Sequence, residues 1–178
     1  MENKEYKTDF ERAEGNFKKG DIDLAIKEVK DIIEKWPNDA KSYSKLGACF
    51  ASQNRFKEAK LYIEKAIKLD SEFSESYNNL GNIFLEEKNY KKAIPLYKKA
   101  LELNPGYAAA HSNLGLAYKK VNKYNEAIRE FKKAAEIDRR APIAELKKVA
   151  KKPRNKINFV KILLISIALI ILWILFKK

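Results

Sequence analysis

The chain has 178 residues, 34% of them charged, and a formal net charge of +13. A single cysteine, Cys49, and a single histidine, His111, exclude an internal disulfide and any C-x-x-C or H-E-x-x-H metal spacing, so no cofactor or metal is expected. The basic excess is polarised: Lys and Arg number 28 against 23 Asp and Glu over residues 1–141, but nine against one over 142–178, which argues against a nucleic-acid face on a folded domain.

The N-terminal stretch MENKEYKTDFERAE is charged and lacks the apolar centre of a secretory signal. Compared with itself at an offset of 34 residues, the sequence then divides into four abutting units. Residues 6–39 form the weakest copy, which keeps the second half of the pattern in GDIDLAIKEVKDIIEKWP. Residues 40–73, 74–107 and 108–141 repeat it in full.

In these three units Leu46, Leu80 and Leu114 precede Gly47, Gly81 and Gly115, and an aromatic follows three residues later at Phe50, Phe84 and Tyr118. That spacing puts Leu and aromatic on one helical stripe, with a glycine where another helix crosses closely. After a polar turn, a second helix carries Ala25, Ala59, Ala93 and Ala127 in register. Val29, Ile63, Tyr97 and Phe131 follow four residues on, then Ile32, Ala66, Ala100 and Ala134. An i, i+4, i+7 apolar pattern marks a buried helical face, and its alanines allow close contact. Pro95 falls five residues into the second helix of the third unit, near its first turn, so only a slight bend is expected. All six glycines are expected at turns or helix contacts.

Residues 142–152 read as a short closing helix whose apolar side covers the last unit, and 153–158 as a basic linker. From Ile162 to Phe176, twelve of fifteen residues are Leu, Ile or Phe. They contribute roughly −4 to −7 kcal/mol to insertion, against at most about +3 for a lysine at the centre. A transmembrane helix is therefore expected over 159–176. Six basic residues between Lys147 and Lys156 precede it, which by the positive-inside rule keeps the repeats cytoplasmic. A single-pass tail anchor in a prokaryotic plasma membrane is the expected layout.

The 34-residue pattern resembles the tetratricopeptide repeat (TPR), with its W-x2-L-G-x2-Y first helix and A-x3-F-x2-A second helix. The resemblance covers residues 6–141, although Asp9, Arg12 and Ala13 stand at the W, L and G places of the first unit. It implies an all-α fold, a right-handed superhelix of four helix-turn-helix units with a concave inner face. Adding the capping helix and the C-terminal transmembrane helix completes the expected architecture.

The resemblance also implies a function: a protein-interaction scaffold, not an enzyme, that takes an extended peptide or partner helix in the groove made by the first helices; with the apolar tail, the expectation is a membrane-anchored scaffold at the cytoplasmic face. No nucleic-acid or small-molecule partner is implied. Groove positions implied for binding are Lys45, Glu75, Asn78, Asn79, Asn82, Ser112 and Asn113. Asn79 and Asn113 occupy one repeat place, and an asparagine amide can bracket a peptide backbone whatever its side chains. The family's clamp for an acidic peptide C-terminus is barely kept: its places hold Ser44, Ala48, Asn79, Ala109 and Asn113 in one register, and Phe10, Glu14, Lys45, Glu75 and Asn79 in the other. Alternatives are a self-associating organiser of a membrane complex or, in a eukaryote, a tail-anchored mitochondrial outer-membrane adaptor. His111 and Cys49 are assigned to packing.

Overall fold

A computed structural model describes residues 4–137 of the protein. The described residues form eight α-helices and no strand: α1 (Lys4–Lys19), α2 (Ile22–Lys35), α3 (Ala40–Ser52), α4 (Phe56–Leu69), α5 (Ser74–Glu86), α6 (Tyr90–Leu103), α7 (Ala108–Lys120) and α8 (Tyr124–Ile137). The second helix of each pair begins at Ile22, Phe56, Tyr90 or Tyr124, one every 34 residues. The turn before each contains one left-handed residue, Gly20 at φ 90°, Asn54 and Lys88 at 59°, and Asn122 at 63°. Only the first is a glycine; asparagine tolerates this region, whereas Lys88 occupies it at a cost. Asp39 caps α3 by accepting from Ser42 N at 2.8 Å, and Asn89 caps α6 by accepting from Lys92 N at 3.3 Å.

The core follows the repeat. Ala25, Ala59, Ala93 and Ala127 are wholly buried, as are Val29, Ile63 and Tyr97 four residues on. Leu46, Leu80 and Leu114 are buried on the first helices. A Cβ on Gly47 would lie 2.9 Å from the carbonyl oxygen of Ala59, and one on Gly115 3.2 Å from that of Ala127. These glycines are therefore where the two helices of a unit touch backbone to side. Gly15 differs from the expectation: it sits within α1 with open space around it, at neither a turn nor a contact. Pro95 also differs, since it is the sixth residue of α6 rather than part of its first turn. It removes an interior backbone bond, yet the helix continues to Leu103, and Pro95 lies on the exposed side where water can take the freed carbonyl.

Unit one packs by other means. With Arg12 and Ala13 at the Leu-Gly places, α1 is held through the buried carboxylate of Glu28 on α2, which accepts from Arg12 Nε and Asn16 Nδ2, both at 2.7 Å. Phe10 and Ala13 complete the contact as buried residues. Tyr6 stacks beside Phe10 and donates its hydroxyl to Asp39 Oδ2 at 2.8 Å, tying α1 to the start of α3. The expected capping helix over 142–152, the linker over 153–158 and the transmembrane helix over 159–176 lie outside the described residues. Among the described residues no helix is long and apolar enough to cross a membrane.

Candidate functional site

Helices α3, α5 and α7 touch in succession, so the first helices share one face of the array. On that face lies a cavity of about 380 Å³ spanning the first three units. Its floor is Ser44, Ala48 and Ala51 of α3, small side chains that leave the space open. Phe10, Glu14 and Phe17 of α1 form one wall, with Lys41 and Lys45 above them. The opposite wall is Phe73, Glu75, Asn79, Asn82 and Tyr107.

The two lysines are held by rings as well as charge. Lys41 Nζ lies 4.1 Å from the Phe10 ring centre, and Lys45 Nζ lies 5.1 Å from that of Phe17 and 3.4 Å from Glu14 Oε1. These are cation–π distances, in which the ring face offsets part of the ammonium's lost hydration. Burial pushes the Glu14 carboxyl up, but Lys45 and Lys18 outweigh it and hold the group below its ordinary value. On the far wall, burial pushes the Tyr107 hydroxyl up to about 12, with Glu75 adding to the shift, so it stays a neutral donor and acceptor.

Of the residues expected in the groove, Lys45, Glu75, Asn79 and Asn82 line this cavity. Asn79 donates to Ser44 Oγ at 3.1 Å across the α3–α5 seam. Asn78 is 4% exposed and faces the packing between helices rather than open groove. Its carbonyl oxygen accepts from Asn113 Nδ2 at 2.9 Å, and its amide nitrogen donates to the Tyr107 hydroxyl at 3.4 Å. Asn82 Oδ1 accepts from both Asn113 Nδ2 at 2.9 Å and the Tyr97 hydroxyl at 2.8 Å. Asn113 and half-buried Ser112 lie outside the cavity lining. Phe17, Ala51, Phe73 and Tyr107 also line the cavity, outside the positions expected from the repeat pattern; the last two stand 34 residues apart just before α5 and α7, and that shared register is their signal in the sequence.

His111 does more than pack. It is 6% exposed, with Nδ1 2.6 Å from Glu130 Oε2 on α8 and Nε2 3.1 Å from the Pro105 carbonyl oxygen, so the ring bridges three segments of the chain. Cys49 is wholly buried, and burial pushes its thiol up to about 11, a poor setting for a nucleophile. Among the described residues no cluster of three or more His, Cys, Asp or Glu side chains is placed to hold a metal.

Sequence models of the tetratricopeptide repeat match residues 40–73 and 73–140. The fold is shared with PilF of Pseudomonas aeruginosa, at 24% identity and a TM-score of 0.73, over 83% of this chain and 68% of that one. It is also similar to MamA, at 27% identity and a TM-score of 0.57, over 74% of this chain and 72% of that one. A third likeness is the first TPR domain of Spaghetti (RPAP3) bound to the HSP90 peptide SRMEEVD, at 22% identity and a TM-score of 0.60, over 64% of this chain and 91% of that one. No curated protein matches the chain. TPR proteins are in general protein-interaction scaffolds rather than enzymes. With repeat models matched from residue 40 to residue 140 and the helix pairs in register, the chain belongs to the tetratricopeptide repeat family.

Proposed function

We propose that the protein is a membrane-anchored interaction scaffold whose groove across units one to three takes an extended segment of a partner protein. The observation that carries this reading is the cavity itself, a trough of about 380 Å³ between a lysine-bearing wall and Glu75. Small side chains on its floor leave room for a partner's apolar side chain, between Phe10 and Phe17 on one side and Phe73 and Tyr107 on the other. Lys41 and Lys45 favour an acidic residue at one end, and Glu75 a basic one at the other. A ligand of alternating charge thus fits better than a mainly acidic tail such as SRMEEVD, for which this groove keeps too few of the family's clamp residues.

Membrane anchoring is supported by the sequence outside the described residues. The run Ile162–Phe176 and the basic residues before it suit a span with the repeats on the cytoplasmic side of a plasma membrane. The test of the groove uses the full chain in detergent and a peptide selected on it from a random display library. Lys45→Glu and Glu75→Lys should each weaken that peptide by about tenfold, the size of one desolvated charge contact. Equal affinity for the parent and both variants would remove the groove assignment.

A further inference from the structure

The outer face of the array carries a second surface that peptide binding does not use. Leu61 on α4 is 64% exposed. Its counterparts 34 residues away in either direction, Lys27, Pro95 and then Arg129, show that this register faces solvent and gives a leucine nothing to pack against. A lone exposed leucine needs no explanation. This one has company: Leu69 is 37% exposed, and the two flank a shallow depression of about 410 Å³ completed by Glu64, Lys65 and Lys68.

Charge separates this part of the outer face from the rest. Helix α4 has four lysines against two glutamates, and α6 four against one. By contrast α2 has three lysines against four acidic residues, and α8 three basic against three acidic. Among the described residues Lys57, Lys68, Lys91 and Lys98 make no ion pair, and all four are exposed. Protruding leucines within a field of unpaired lysines match an anionic bilayer surface, which takes apolar side chains at the acyl boundary and neutralises amines at the headgroups.

We infer that the exposed sides of α4 and α6, with Leu61 and Leu69 of α4 as the apolar contacts, dock on anionic phospholipid. The inference rests on the membrane-anchored reading and adds an orientation to it: units two and three lie outer face down, so the groove opens away from the bilayer. Each lysine near such a surface contributes about 1 kcal/mol of attraction, roughly a fivefold gain in the docked population.

The full chain is reconstituted in vesicles of phosphatidylcholine alone or with one third phosphatidylglycerol. An environment-sensitive fluorophore is placed at Leu61→Cys or, as the control, at Glu75→Cys in the groove; buried Cys49 stays unlabelled. The label at position 61 should shift to the blue and be quenched by lipid-borne nitroxide in anionic vesicles only, and high salt should reverse both effects. Lys65→Glu with Lys68→Glu should return it to its neutral-vesicle spectrum, while the label at 75 reports water throughout. If the chain floats with both vesicle types but the label at 61 gives the same spectrum in each, the docking inference is overturned and the anchor stands. If the chain floats with neither, both fall.

Discussion

The amide nitrogen of Asn113 on α7 donates to two carbonyl oxygens on α5, those of Asn78 and Asn82, each at 2.9 Å. An amide nitrogen has two hydrogens, so both bonds can form at once. Asn113, which shares a repeat place with Asn79, thus spends its amide nitrogen on bonds within the array, locking unit three to unit four. Asn113→Ala would strip the carbonyl of Asn78, 4% exposed, of this donor. Unfolding in urea should show a loss of about 1–3 kcal/mol, the cost of a buried acceptor left unmade. A variant as stable as the parent would mean that the network is idle.

Two glycine-to-alanine changes should move stability in opposite directions. At Gly47 the added methyl meets the Ile63 side chain and stands 2.9 Å from the Ala59 carbonyl oxygen, which belongs to a helix backbone and cannot step aside. Separating α3 from α4 should cost about 1–3 kcal/mol. At Gly15 nothing lies within 4 Å, so the methyl enters open space and α1 gains up to about 1 kcal/mol of helix propensity. Thermal melts of the two variants beside the parent decide the matter.

Cys49 should be silent toward thiol reagents in the native state. It is wholly buried, and its thiol is pushed up to about 11 by that burial, so little thiolate exists at neutral pH. Modification by a disulfide reagent should need denaturant, with one thiol then reacting per chain. Rapid reaction in buffer would mean that α3 opens readily in the native state.

Acid should loosen the first helix first. The hydrogen bond from Lys35 holds the Asp9 carboxyl below its ordinary value, and Glu14, though raised by burial, is lowered on balance by Lys45 and Lys18. A carboxylate depressed in the folded state stabilises fully above its unfolded pKa and loses that contribution as pH falls through the folded one. Amide exchange in α1, taken relative to its intrinsic rate at each pH, should therefore accelerate below about pH 4, ahead of α5 to α8. Simultaneous acceleration across all units would show that these pairs do not hold α1.

The sequence announced the fold because the core repeats: an alanine stripe four times in register can only be the buried face of stacked helices. The groove was less legible. Asn78 and Asn79 are neighbours on one helix, about 100° apart, and the repeat pattern alone does not say which of them turns inward. Only the packing of Tyr107 and Asn113 against Asn78 decides it. The first unit hid its attachment for a similar reason. Its Leu-Gly pair is replaced by a carboxylate, a guanidinium and an amide, Glu28, Arg12 and Asn16, which no apolar periodicity reveals. His111 stands at an aromatic place, and its partner Glu130 is 19 residues away on the next helix, beyond any helix spacing rule.

The measurement that bears most directly on the groove is photocrosslinking in the native cell from a benzophenone side chain placed singly at positions 41, 75 and 30. Lys41 and Glu75 line opposite walls of the cavity, whereas Lys30 is exposed on α2 and outside it. The same protein adduct is expected from 41 and 75, and none from 30. An adduct from 30 alone would contradict the groove assignment and move the partner to the outer face.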